Sequence, residues 1–199
     1  MNIKKVASVC KRMGRVKAVQ VGGTLYAGPA AALYAMPADL PKIRTADEMM
    51  AVLGYTLKER EKIMATLEHY DTAEAMMEAT GIDVTGMRQG DLVCRREEIC
   101  LNLSGLMLAV MGCEDGRGEC VDLSLLAPME EDLQDYGSFY RRQLGNGTSY
   151  YVAMKGFETV GIVLPVRVSA SLPTRLLGIS RMLGTGPKGE MHDAEKSDL

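Results

Sequence analysis

Tryptophan is absent, and phenylalanine and histidine occur twice each. With so few large rings the core must be filled by other residues, and the 15 methionines are the evident substitute. Methionine is flexible and polarisable, so it packs irregular gaps and gives an adaptable interior. It also suits a groove for a partner. The shortage of histidine excludes most hydrolytic designs, because a triad needs an imidazole aligned between nucleophile and carboxylate. His69 falls near the end of an expected helix and His192 in a loose tail, and neither has a motif around it. No apolar run reaches the ~18 residues that a spanning helix needs. Lys11 and Arg12 interrupt the N-terminal apolar positions too soon for a signal peptide. The expected location is therefore the cytoplasm, with no membrane contact.

Phosphate loops are missing as well. Despite 21 glycines there is no G-x-G-x-x-G and no Gly-Lys-Ser/Thr pattern. Gly184 to Gly189 looks superficially similar but lacks the strand-then-helix setting. The five cysteines are odd in number and unevenly spaced, which does not suggest a disulfide framework. Cys94, Cys100, Cys113 and Cys120 lack the tight knuckles of structural zinc sites. Cys100 and Cys113 stand in or beside apolar runs, where a free cysteine behaves as a small hydrophobe. The acidic group Glu130, Glu131, Asp132 and Asp135 lacks calcium-loop spacing and reads as a solvated connector. No metal or cofactor is expected, and no catalytic residue is assigned.

What is present is ordinary globular composition: 47% hydrophobic and 25% charged residues. The net charge of -3 is unevenly spread. Lys4, Lys5, Lys11, Arg12, Arg15 and Lys17 precede any acid, while the remainder carries 17 basic and 26 acidic residues. One positive end on an acidic body argues against wrapping a long duplex. It allows a local phosphate contact or a contact with an acidic partner, and those six residues are the candidate contact surface. Reversing Lys4, Lys5, Lys11 and Arg12 is expected to spare the fold, since they lie opposite the apolar stripe. The Arg95-Arg96 and Arg141-Arg142 doublets are too small to indicate nucleic-acid binding alone.

The expected fold class is α+β: an antiparallel meander sheet with an N-terminal helix and a cluster of short helices on one face. Ile3, Val6, Val9, Cys10 and Met13 recur at helical spacing up to Gly14. Val16 to Val21, Gly22-Gly23 and Leu25 to Ala27 form a hairpin signature. Ala30 to Tyr34 fits either a helical turn or a strand. Thr45 with Glu48, Thr56 with Glu59 and Asp71 with Glu74 have capping-box spacing, predicting helices at 46–53, 57–68 and 72–79. Strands follow over about 90–168, with a bulge or edge expected at Pro165, and a helix closes over 174–183. The domain reading is a single unit over 1–183 and a disordered tail over 184–199.

Several strings resemble a known family. Met1-Asn2-Ile3-Lys4-Lys5-Val6 with Cys10, Leu33-Tyr34-Ala35-Met36-Pro37, Tyr150 to Gly156 and Gly161 to Val168 are similar to small proteins encoded by phages and integrative elements of gut Firmicutes. The likeness covers most of residues 1–183. Anti-CRISPR proteins that inhibit type II effector nucleases come from such elements. The resemblance implies a non-catalytic inhibitor whose partner is a guide-RNA-loaded CRISPR nuclease; it assigns no inhibitory residue. Leu164-Pro165-Val166-Arg167 also resembles the closing strand of bacterial sliding clamps. That implies the alternative, a DNA-associated accessory or regulatory protein of the element, with nucleic acid met through the basic N-terminal helix. An enzyme with an unrecognised site is the least supported class, and a homo-oligomer stays open.

Overall fold

The computed structural model describes residues 1–134, 137–169 and 171–184. Helix α1, Ile3–Met13, starts where the Asn2 side chain accepts from the Lys5 N–H, and stops at Gly14, whose left-handed backbone (φ 64°) closes it. Strands β1 (Arg15–Val21) and β2 (Thr24–Gly28) are joined by Gly22-Gly23, both at positive φ, as a tight hairpin requires. The ambiguous segment after Pro29 is a strand, β3, Ala32–Ala35.

Helices α2 (Ala46–Val52) and α3 (Leu57–Arg60) begin at the caps Thr45 and Thr56. The helix predicted over 57–68 ends early. Met64–Tyr70 is instead a strand, β4, lying parallel to β1 from Arg15↔Met64 to Val21↔Tyr70. Helix α4, Ala73–Thr80, is capped by Thr72 rather than Asp71.

Strands β5 (Leu92–Leu103), β6 (Leu106–Cys113) and β7 (Gly118–Asp122) form an antiparallel trio. The short helices α5 (Leu123–Leu126) and α6 (Glu130–Leu133) follow, separated by a 3-10 turn. Strands β8 (Gly137–Gln143), β9 (Ser149–Lys155) and β10 (Glu158–Val163) form another trio. Helix α7, Ser171–Gly184, begins three residues earlier than expected. Residues 185–199 of the expected tail lie outside the described residues.

All the strands among the described residues join one ten-stranded sheet in the order β4-β1-β2-β3-β10-β9-β8-β5-β6-β7. The class is α+β, and pairing is antiparallel except between β1 and β4. The meander holds only inside each trio. The bulge expected at Pro165 lies elsewhere: β10 ends at Val163, the register shift falls between Thr159 and Gly161, and Val166 makes an isolated bridge to Cys120.

The helices cover both faces rather than one. Val16, Ala18, Tyr151 and Ala153 share a cluster with Val6, Val9 and Cys10 of α1, Met49 and Met50 of α2, and Leu125 and Leu126 of α5. Their neighbours Val19, Val21, Tyr150 and Val152 point the other way, toward Met76 of α4. Strand alternation produces this split. Leu108 and Val110 form a third cluster with Leu176 of α7. Among the described residues seven methionines are buried (Met36, Met49, Met50, Met76, Met111, Met129 and Met154), so the interior is where methionine replaces aromatic bulk. No helix among the described residues is long and apolar enough to cross a membrane.

The chain doubles a simple unit. α1 followed by β1-β2-β3 matches α5–α6 followed by β8-β9-β10, each a helical stretch leading into a three-strand meander. β3 and β10 pair antiparallel at the centre. The two helical stretches lie beside each other, with the Asn2 N–H donating to the Pro128 carbonyl at 3.2 Å. Gly161 permits this packing, since a Cβ there would come 2.5 Å from the Met129 sulfur.

Candidate functional site

The six N-terminal cations project from α1 and the start of β1, but most do not face open solvent as free charges. Lys5 Nζ lies 3.6 Å from Glu130 and 4.0 Å from Glu131 of α6. Lys11 Nζ meets Glu59 of α3 at 2.5 Å, and Lys17 meets Glu68 of β4 at 3.0 Å. Arg12 donates to Asp122 Oδ2 at 2.8 Å and to the Ser124 hydroxyl. Arg15 donates to the Met64 sulfur at 3.4 Å. Lys4 is exposed and has no carboxylate partner among the described residues. The hydrogen bond from Lys11, then those from Thr56, hold the Glu59 carboxyl at about 2, so it is ionised at any physiological pH.

Asp122 is the least exposed of these acids. Its Oδ1 caps α5 by accepting from the Ser124 N–H and hydroxyl, and its Oδ2 takes the Arg12 guanidinium. The expectation that reversing Arg12 would spare the fold therefore needs correction: Arg12 answers a largely buried carboxylate. Apolar side chains flank this corner. Met13 is exposed at the end of α1, and Leu57 is 76% exposed on the short helix that carries Glu59.

The acidic connector is also an ion-pair hub. Glu130 bridges Lys5 and Arg96, and Asp132 lies 4.0 Å from Lys155. Asp135 lies outside the described residues.

A second polar centre, missed in the sequence, surrounds the Arg141-Arg142 doublet. Consecutive strand residues point to opposite faces, so each arginine finds its own acids. Arg142 donates to both carboxylate oxygens of Asp91 at 2.9 and 2.7 Å. It also donates to the carbonyls of Asp83, Thr85 and Gly86, fixing the loop before β5 to the sheet. Burial alone would raise the Asp91 carboxyl, but the bonds from Arg142 and the Arg88 N–H outweigh it and lower the pKa. Arg141 donates to the Ser149 hydroxyl at 3.0 Å and to Asp115 at 3.1 Å, and lies 3.5 Å from Glu119, which accepts from the Tyr151 hydroxyl. Burial, then Glu119, pushes the Tyr151 phenol up, so it stays protonated. Beside it opens a cleft of about 750 Å³ lined by Arg117, Arg141, Gln143, Ser149 and Arg167.

Burial raises the Cys10 thiol to about 12, which removes it as a nucleophile near neutrality. His69 lies 3.4 Å from Asp71 on the surface; His192 lies outside the described residues. The reading of unpaired cysteines is overturned at one place. Cys94 and Cys113 form a disulfide between β5 and β6, with Cα atoms 4.1 Å apart, while Cys10, Cys100 and Cys120 are free. Among the described residues no group of three or more histidine, cysteine, aspartate or glutamate side chains is placed to hold a metal ion.

No family model, no curated protein and no solved structure matches this chain.

Proposed function

We propose that this chain is a non-catalytic binding protein of a phage or mobile element that inhibits a host type II CRISPR effector nuclease. The observation that supports a protein partner over a phosphate backbone is the pairing of the N-terminal cations. Lys5, Lys11, Arg12 and Lys17 each meet a carboxylate, so the α1 corner offers alternating charge beside exposed Met13 and Leu57. Nucleic-acid tracks need surplus positive charge to displace counterions. A protein interface instead favours apolar anchors, methionine and arginine within a polar rim. The choice of nuclease rests on the resemblance of the quoted strings.

The test is an in vitro cleavage assay with a guide-RNA-loaded type II nuclease from a gut Firmicute. Activity is expected to fall in proportion to added protein and to vanish near equimolar inhibitor. Undiminished cleavage at a large excess, across several such nucleases, refutes the proposal.

The doubled helix-and-meander unit favours a second reading, a clamp-like accessory protein lying on duplex DNA. It sets α1 and α6 side by side on one face of the sheet. The acids of α6 work against this reading. Retention of duplex DNA at moderate salt, with an affinity that falls steeply as salt rises, would select it over the inhibitor.

A further inference from the structure

The two edges of the ten-stranded sheet are treated differently. At the β7 edge, α7 packs close and Val166 bridges to Cys120. At the β4 edge, no backbone group of another described element bonds to the outer side of the strand. The ladder to β1 defines which groups these are. The Met64 N–H donates to the Gly14 carbonyl at 3.0 Å, and the Tyr70 carbonyl accepts from the Gly22 N–H at 3.2 Å. In a parallel pair alternate residues bond inward, so Met64, Thr66, Glu68 and Tyr70 face β1. Ala65, Leu67 and His69 turn their N–H and C=O groups outward.

Exposed edges are normally blunted by proline, an outward lysine or a bulge. β4 has none of these: its sequence is Met-Ala-Thr-Leu-Glu-His-Tyr and its register with β1 is unbroken over all seven residues. We propose that β4 is a homodimer interface, in which a second copy of this chain pairs antiparallel across a two-fold axis at Leu67.

The strand is self-complementary in that register. Leu67 faces Leu67 of the second copy and Ala65 faces His69, both as hydrogen-bonded pairs, so every outward donor meets an outward acceptor. The intervening pairs are Thr66 with Glu68 and Met64 with Tyr70. Met64, 60% exposed in the single chain, is covered by a tyrosine ring, a favourable sulfur–aromatic contact. Glu68 is the only acid on β4, is neutralised by Lys17, and has a threonine hydroxyl opposite rather than a like charge. The occupant is thus a strand of this sequence, and the result is one sheet running through both copies. This inference stands apart from the nuclease reading, since its readout is self-association and involves no nuclease.

The test is light scattering coupled to gel filtration on the full chain, loaded from about 1 to about 100 µM to span ordinary association constants. The expected mass rises toward twice the 21.6 kDa of one chain. Thr66→Glu sets carboxylates opposite each other on both sides of the central axis; the variant should remain folded by circular dichroism and elute as a single chain. Leu67→Cys places two thiols on the axis at the ~5.5 Å Cα separation of a hydrogen-bonded pair, within disulfide range. Mild oxidation should crosslink it well beyond the parent. A parent of single-chain mass throughout, a Thr66→Glu variant that associates like the parent, or a Leu67→Cys variant crosslinked no more than the parent would each overturn the proposal.

Discussion

Replacing Arg142 by methionine tests whether the buried guanidinium anchors the loop before β5. The side chain is 4% exposed and serves both oxygens of Asp91 and the carbonyls of Asp83, Thr85 and Gly86. Methionine keeps the aliphatic bulk, removes this donor from three carbonyls and leaves the Asp91 carboxylate with only the Arg88 N–H. Breaking a buried charged pair from one side costs about 3–5 kcal/mol. For a chain of this size each kcal/mol moves the melting midpoint by about 2–4 °C, so a fall of about 6–20 °C is expected in thermal unfolding followed by circular dichroism. Amide exchange should rise across residues 83–91. The effect should depend on pH. Arg142 holds the Asp91 carboxyl below its ordinary value, so the stabilisation is complete above the unfolded pKa of about 4 and is lost as pH falls through the lowered folded value. The gap between parent and variant should therefore narrow in acid. A melting point unchanged at neutral pH, or a gap that does not narrow in acid, would refute the reasoning.

Val9→Asp places an unpaired charge in the buried cluster that α1 shares with Val16 and Tyr151, and chemical denaturation should show a loss of several kcal/mol, on the order of a large core defect. Lys4→Glu should leave stability within about 0.5 kcal/mol, as surface changes do. Arg12→Glu should destabilise clearly because it faces Asp122; equal melting points for these two variants would contradict the observed pairing. Thiol titration after denaturation without reductant should find three free cysteines, and five once the Cys94–Cys113 bond is reduced; five in both conditions would exclude that bond.

Local chemistry was legible wherever one residue type decides the backbone. Gly14 ends α1, the threonine caps start α2 and α3, and Gly22-Gly23 turns the first hairpin. β4 was not legible because Ile63, Met64 and Leu67 also fit helical spacing after the Thr56 box. Its strand character comes from pairing with β1, 49 residues away, which overrides local preference. Thr66 and Tyr70 were the available signal. The disulfide was hidden more deeply. Counting back from the Leu103↔Leu106 pair at the turn sets Cys94 opposite Asp115. The register shift between Arg96 and Cys100 is what brings it opposite Cys113, and nothing in the sequence places that shift.

The charge layout carries the same lesson about the site. Along the sequence, positive residues precede an acidic remainder, which suggests a molecule with a positive end. In space the fold brings Glu59, Glu68, Asp122 and Glu130 from distant segments to those same cations. Segregation in sequence becomes local neutrality on the surface, where each exposed pair contributes little to stability but shields the field a phosphate would meet. Lys4 and Arg15 are the two of the six without a carboxylate among the described residues, and they lie on the first turn of α1 and at the start of β1 rather than in one row. A ligand held by charge alone would find no continuous track there. A partner that reads Met13, Leu57 and alternating ion pairs would find a surface of matching chemistry.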